Sequence, residues 1–295
     1  MVRIMATKAH SKPDDKNQAA RAPGELFIVA TPIGNLGDIT LRALELLKSV
    51  DRIACEDTRT TRKLTQHYGI ATPLLAYHEH NEARATSELL TQLASGARIA
   101  LVSDAGTPLL SDPGARLVAA AAASGIRITP LPGASALLAA LTVAGLSPLP
   151  FYFAGFLPPK STARRQALAA LASQRATLVF YESPNRLADS LADAQSILGD
   201  RPAAVARELT KLHEECRRGP LSTLHAHYAA HPPKGECVLV IDGAGDAPPP
   251  SGEAVDDLLR RLLASHHVKD AAAIAANETG LPKRELYARA LTLKA

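Results

Sequence analysis

Residues 25–146 alternate short apolar runs with longer amphipathic ones, and this alternation restricts the chain to few folds. Strand-like runs are LFIVA (26–30), DRIAC (51–55), PLLAY (73–77), RIALVS (98–103) and IRITPL (126–131). Between them lie LRALELLKSV, TRKLTQHYG, NEARATSELLTQLASG and GARLVAAAAASG, and ASALLAALTVAG follows the last. These read as helices. Short apolar strands joined through helices predict a mostly parallel sheet with helices on its faces. Ligands of such sheets gather at the carboxyl ends of the strands.

The Pro-rich junction LSPLP (146–150) opens a second α/β unit. It holds the strand FYFAGF, a basic helix over 161–173, the strand TLVFYE (177–182), a helix over 185–198, and the strands AAVAREL (203–209) and ECVLVI (236–241). GAGDAPPPSGE (243–253) reads as a linker by composition. Beyond it, AVDDLLRRLLAS, VKDAAAIAANETG and PKRELYARALTL read as three helices. Ala271, Ala272, Ile274 and Ala275 before Gly280, then Pro282 and an inner face of Leu286, Ala290 and Leu291, give the punctuation of a helix-turn-helix. Lys283, Arg284, Arg289 and Lys294 decorate the second helix, either as the solvated face of a helical cap or as a nucleic-acid contact. The expected organisation is a disordered leader at 1–24, α/β units at 25–146 and 150–242, a linker at 243–253 and a helix-turn-helix-like extension at 254–295.

No apolar run reaches the ~18 to 20 residues of a bilayer span, so no membrane partner is expected. The basic leader has no apolar core of the signal-peptide kind. Three cysteines, Cys55, Cys216 and Cys237, with no C-x-x-C spacing, suggest neither a disulfide framework nor a zinc site, which fits a reducing cytoplasm. The net charge is +4, and the excess sits at the two ends: residues 1–24 and 255–295 are both net basic, while the rest carries about as many acids as bases. A polyanionic partner would therefore meet local patches and tails.

Four polar or glycine-bearing loops follow strands directly: TPIGNLGD (31–38), CEDTRTTRK (55–63), SDAGTPLLSDPG (103–114) and PLPGASA (130–136). The first occupies the place of a phosphate loop, yet it has G-x-x-G in place of G-x-G-x-x-G and no Gly-Lys-Ser/Thr. Ser135 reads as a helix N-cap, since it lacks the G-x-S-x-G setting of a nucleophile. Tyr77-His78-Glu79-His80 does not make a metal site, because two His one residue apart share no helix face and no H-E-x-x-H is present.

Taken together, TPIGNLGDIT, EDTR, VSDAGTPLLSDPG, LPGASA, FYESPNR, ARELTK and KGECVLVI, in this order, resemble the tetrapyrrole methylase superfamily. Within it they are most similar to the bacterial branch that 2′-O-methylates a cytidine in the decoding region of 16S rRNA. Relatives acting on corrins and porphyrins show a G-x-G-P-G-D loop and a G-D-P, where this chain reads P-I-G-N-L-G-D and G-T-P. The departure points away from tetrapyrroles and towards RNA. The resemblance implies a fold of two α/β domains with an S-adenosylmethionine cleft between them plus a small C-terminal helical extension. It also implies a homodimer acting on 16S rRNA within the small ribosomal subunit.

By the same resemblance the cofactor is touched by Ile33 and Gly34, then Asp104, Gly106, Thr107 and Leu110, then Ser135 and Ala136, and from the second unit Tyr181, Arg207 and Glu236. The chemistry agrees: a carboxylate, an ammonium, a ribose and an adenine call for close backbone approach, which Gly34, Gly106 and Gly133 supply. A sulfonium is an activated methyl donor, so alignment does most of the work. A ribose hydroxyl still benefits from a base or from a lysine that steadies the alkoxide. Asp57 and Glu56, Glu182, and Glu208 with Lys211 are the candidates, and a salt-bridge network between the units is the alternative use for each. Arg59, Arg62, Lys63, Lys160, Arg164, Arg165, Arg186, Arg217 and Arg218 are candidates for an RNA path. Aromatic content of 4% with no Trp favours recognition by shape and phosphate over extensive base stacking. The rival readings are a small-molecule tetrapyrrole-type methylase and a non-catalytic nucleic-acid-binding protein.

Overall fold

The first apolar run forms β1 (Glu25–Val29), and each later strand-like run of the first unit also forms a strand: β2 (Arg52–Cys55), β3 (Leu74–Ala76), β4 (Arg98–Val102) and β5 (Arg127–Leu131). The structure is a computed structural model, and it describes residues 24–245 and 252–294. The leader expected at 1–24 therefore lies almost wholly outside the described residues, as does the middle of the expected linker. All five strands are parallel, in the order β3-β2-β4-β1-β5. The helices α1 (Leu41–Ser49), α2 (Thr58–His67), α3 (Glu82–Ala94), α4 (Ala115–Ala123) and α5 (Ala136–Val143) follow the strands in turn.

Alternate side chains of these strands enter two separate cores. Phe27, Val29, Ile53, Cys55, Ala100 and Val102 pack with α1 and α2 residues such as Ala43, Leu47 and Leu64. Leu26, Ala54, Ile99 and Leu101 pack with Leu89 and Leu93 of α3 and Leu117 and Ala121 of α4. A parallel sheet covered on both faces explains why these strands read as unbroken apolar runs.

The second sheet is mixed, in the order β6-β7-β10-β8-β9. β6 (Phe151–Phe156) and β7 (Thr177–Glu182) are parallel, whereas β10 (Cys237–Ile241), β8 (Pro202–Arg207) and β9 (Glu215–Pro220) follow antiparallel. One face carries α6 (Ser161–Ala170), α7 (Leu187–Leu198) and α8 (Leu221–Ala230), which bury Leu168, Leu191 and Leu224 beside Leu178, Phe180, Val205 and Leu239. The other face receives α5 of the first unit: Leu137, Ala140, Leu141 and Ala144 pack with Val179, Ala204, Ala206, Val238 and Val240.

Two elements, β9 and α8, escape the sequence patterns. β9 reads ECRRGP, with no apolar alternation, because it is an edge strand whose Arg217 and Arg218 face solvent. The strand expected over 203–209 stops at Arg207, since Glu208 turns into the left-handed region with φ of 49°. Beyond the second unit, α9 (Gly252–Leu263), α10 (Val268–Thr279) and α11 (Lys283–Lys294) enclose a core of their own from Val255, Leu259, Ala272, Ala275, Leu286 and Ala290. Gly280 is left-handed and closes α10 as a C-cap. Leu291, expected on the inner face, is exposed instead.

Several arginines expected along the RNA path are consumed by folding. Arg164 is buried, and its Nε lies 2.7 Å from Asp193 Oδ2, a carboxylate that Ser161 and Arg165 also contact. Replacing Arg164 with Leu is expected to cost about 3 kcal/mol, since it leaves Asp193 buried without its nearest cation. Urea unfolding would report this as a lower midpoint at unchanged m, with Arg165→Ala costing under about 1 kcal/mol.

Candidate active site

The loops after β1 and β4 are tied to each other before they meet any ligand. Thr31 and Gly106 exchange backbone hydrogen bonds, with Thr31 N–H donating to Gly106 O at 2.9 Å and Gly106 N–H returning to Thr31 O at 3.0 Å. Thr31 Oγ1 donates to Ser103 O, and Ser103 Oγ donates to Gly106 O at 3.0 Å. The loop after β5 joins through Thr107 Oγ1, which donates to Ala134 O. Gly106 has φ of 79° and lies against Ile33, so a side chain there would be both strained and crowded.

These loops form one wall of a cavity of about 420 Å³, and the ends of β7, β8 and β10 form the other. From the first unit come Ile33, Asp104, Gly106, Thr107, Leu110, Asp112 and Ala136; from the second come Phe156, Tyr181, Glu182, Glu208, Leu209, Glu236 and Val238, among others. Of the residues expected at a cofactor, Ile33, Asp104, Gly106, Thr107, Leu110, Ala136, Tyr181 and Glu236 thus share one cavity. Three do not line it. Gly34 sits under the Lys211 side chain, and a Cβ there would stand 2.4 Å from Lys211 Cγ. Ser135 is the N-cap of α5, as its sequence setting suggested. Arg207 follows cavity-lining Ala206 and therefore projects to the opposite face of the sheet, where its Nε meets Glu215 Oε2 at 2.6 Å across β8 and β9.

The candidate bases separate in the same way. Asp57 caps α2 and pairs with Arg59 at 2.7 Å, and that side-chain hydrogen bond, with a second from the Arg59 backbone, holds its carboxyl at about 2. Asp57 lies behind the wall, donating its own N–H to Asp104 Oδ1 at 3.0 Å. Glu182 is buried and fully engaged: Oε2 accepts from Ser190 Oγ at 2.6 Å, and Oε1 accepts from Ser183 N–H and pairs with Arg186. Glu208 and Lys211 meet at 2.9 Å, and Lys211 also meets Glu236 at 3.1 Å. The hydrogen bond from Lys211 lowers the Glu208 carboxyl; burial alone would pull Lys211 down, but its two carboxylate partners hold it up.

The opposite wall is acidic. Burial raises Asp104 and Glu56, and Glu56 is raised further by Asp104. Asp112 is pushed up to about 6, first by burial and then by Glu56 and Asp104. Asp112 and Phe156 were not among the residues expected at the site. The repeated Ser-Asp of SDAGTPLLSDPG, at 103–104 and 111–112, was the available signal for Asp112. All four non-glycine residues with left-handed φ among those described, Leu109, Ser111, Glu208 and Thr210, lie in the two loops that carry these acids and the Lys211 knot. Backbone strain of this kind persists where surrounding structure over-determines it, and it concentrates at functional sites. Among the described residues no group of His, Cys, Asp and Glu is arranged to hold a metal ion.

Residues 25–225 match the family described as Tetrapyrrole (Corrin/Porphyrin) Methylases, and residues 249–294 match the RsmI C-terminal HTH domain. The chain is 51% identical over 276 residues to a "Ribosomal RNA small subunit methyltransferase I" of Synechocystis sp., covering 92% of this chain and 99% of that one. It is 52% identical over 271 residues to a protein of the same name from Mesorhizobium japonicum, covering 91% and 92%. A solved diphthine synthase superposes with a TM-score of 0.57 at 14% identity, over 75% of this chain and 90% of that one, which bears on the fold alone. A sheet pair with its cavity at the strand ends, carried by a sequence with these relatives, places the chain in the tetrapyrrole methylase family of S-adenosylmethionine-dependent methyltransferases, in its ribosomal RNA small subunit methyltransferase I branch.

Proposed function

We propose that this protein transfers a methyl group from S-adenosylmethionine to the 2′-hydroxyl of a cytidine in the decoding region of 16S rRNA, within the small ribosomal subunit. The observation that carries this reading is similarity at about half identity over nearly the whole chain, helical extension included, to proteins named for the small-subunit ribosomal RNA. The cavity suits the cofactor by its chemistry. It has carboxylates on both walls, Asp104 and Asp112 on one and Glu182, Glu208 and Glu236 on the other, and an apolar lining from Ile33, Leu110, Ala136 and Val238. When bound, the cofactor supplies an electrophilic methyl group on a positively charged sulfur.

The roles then divide by position. Asp104 and Asp112 offset the positive charge of the donor and of its ammonium group. Gly106 and Thr107 bring backbone close to it, and Tyr181 closes the far side. Lys211, held protonated between Glu208 and Glu236, is placed at the edge of the cavity to steady a developing alkoxide. Glu208 keeps that lysine in position, and the hydrogen bond from Lys211 that lowers its carboxyl disfavours it as a base. Asp57 serves α2 as its cap. Arg207 serves the β8–β9 pairing.

Exposed cations stand on the strand-end side of the molecule: Arg62 and Lys63 on α2, which starts at the end of β2, and Lys160 just ahead of α6, which follows β6. Phosphate contacts from these would weaken with salt. Lys283 and Arg284 at the exposed start of α11 add a second basic point, whereas Arg289 is spent on Asp256 and Gly252 O. We also propose a homodimer, because Leu149, Phe151 and Tyr152 leave an apolar strip exposed along the free edge of β6.

Mapping 2′-O-methyl marks in 16S rRNA from cells with and without the protein tests the central reading. One cytidine mark in the decoding region should disappear, and an unchanged pattern would refute it. The acidic wall predicts a pH effect. A raised carboxyl is charged only above its shifted value, so affinity for the cationic cofactor should be full above pH 7 and fall as pH drops through about 6. Calorimetry should show that fall in the parent protein and a weaker, flatter profile in Asp112→Asn. Light scattering on Tyr152→Glu should show a monomer at concentrations where the parent is a dimer.

A further inference from the structure

Phe156 stands out because its position depends on an irregularity in the sheet. β6 and β7 pair in register from Phe151–Thr177 through Phe153–Val179, and the next pair is Phe156–Tyr181. Three steps on β6 thus match two on β7, which is a β-bulge, a rare feature in a parallel pair. Residues three apart on a regular strand face opposite sides. The extra residue returns Phe156 to the side of Phe153, and both rings meet Tyr181 edge-on, at 4.9 Å for Phe153 and 5.6 Å for Phe156. Gly155 makes the bulge possible with φ of 67°, and a Cβ there would stand 3.1 Å from Ser111 Oγ of the β4 loop.

The result is an aromatic series leading outward from the core. Phe153 packs into the apolar core between the units, Tyr181 lines the cavity half-buried, and Phe156 lines its mouth at 54% exposure. A bulge that held Phe156 in the core would be accounted for by packing. One that holds a large apolar ring half in water, at the lip of the cavity, calls for a flat ligand that covers it. With the cofactor in the interior, as proposed above, what reaches the lip from solution is the second substrate. We infer that Phe156 is the stacking platform for the nucleobase of the nucleotide being methylated, extruded from the RNA so that its ribose faces the methyl donor. This rests on the RNA reading above and adds to it a base-binding subsite. It also explains how a chain so poor in aromatics holds one base while reading the rest of its substrate by shape and phosphate.

The test compares Phe156→Ala, Phe156→Leu and Phe156→Tyr with the parent in three measurements. These are methyl transfer to small subunits from cells lacking the protein, calorimetric affinity for S-adenosylmethionine, and association state by light scattering. Loss of one stacked base predicts a fall in kcat/KM of roughly tenfold to a hundredfold for Ala and Leu, with Tyr within about threefold of the parent. Cofactor affinity should stay within about twofold throughout, as expected for a residue that touches only the RNA. An equal fall in cofactor affinity would assign the ring to the adenine of the donor and overturn the inference. So would full activity in Phe156→Leu, which needs only an apolar contact, or dissociation of Phe156→Ala, which makes the ring part of an interface between copies. A parent protein that methylates nothing in the subunits would remove the RNA reading itself, and the inference with it.

Discussion

The burial of α5 on the second sheet is the contact on which the site depends. α5 belongs in sequence to the first unit, yet its inner face packs on Val179, Ala204, Ala206, Val238 and Val240. This contact removes apolar surface from water on both partners, and it fixes how the carboxyl ends of the first sheet approach the second. Polar links at its margin reinforce it: Arg218 of β9 donates through Nε to Val143 O at 3.1 Å and to Ala144 O at 3.2 Å, the last carbonyls of the helix. Arginine at a helix C-terminus is favoured by the dipole as well as by the unsatisfied carbonyls. The cavity is the space left where this packing ends and the strand-end loops begin.

Carboxylates line both walls, and those of the second unit are paired, Glu182 with Arg186 and both Glu208 and Glu236 with Lys211. Asp104, Asp112 and Glu56 are each raised first by burial, Asp112 further by the other two, and Arg59 offsets only part of the rise at Asp104. Like charges left unpaired at a site disfavour the empty state and favour a cationic occupant. Lys211 is held between the lining residues Glu208 and Glu236, which offset its charge. Left-handed backbone at Leu109, Ser111, Glu208 and Thr210 sits under both arrangements. The loops thus hold charge and strain that the sheets beneath them offset.

Much of this was legible in the residues, for identifiable reasons. The five strands of the first sheet are buried on both faces, and burial on both faces is what a continuous apolar run encodes. The loops that line the cavity were legible because polar and glycine residues directly after a strand mark, in a parallel sheet, the end at which ligands bind. β9 was not legible, because an edge strand rich in arginine has no pattern to detect, and α8 follows it with a weak apolar stripe. Arg207 shows a finer limit. Its neighbour Ala206 lines the cavity, and a side-chain period of two sends Arg207 to the other face, where β9 supplies Glu215. That assignment needed both the register and the presence of β9.

The same limit governs the basic residues. Counting arginines and lysines near the strand ends suggested a broad path for RNA, yet Arg164 and Arg186 each satisfy a carboxylate of the fold, at 2.7 and 2.6 Å, as Arg289 of the helical extension does at 2.5 Å. Placing a cation in a buried or half-buried ion pair removes it from the field that a polyanion would feel. Those still exposed stand at separate points on α2, on and just ahead of α6, on β9 and on α11. Separate points can grip a rigid, already folded RNA surface only if their spacing matches its phosphates, whereas a flexible strand needs a continuous groove. The distribution of unspent charge therefore favours a structured substrate presented whole.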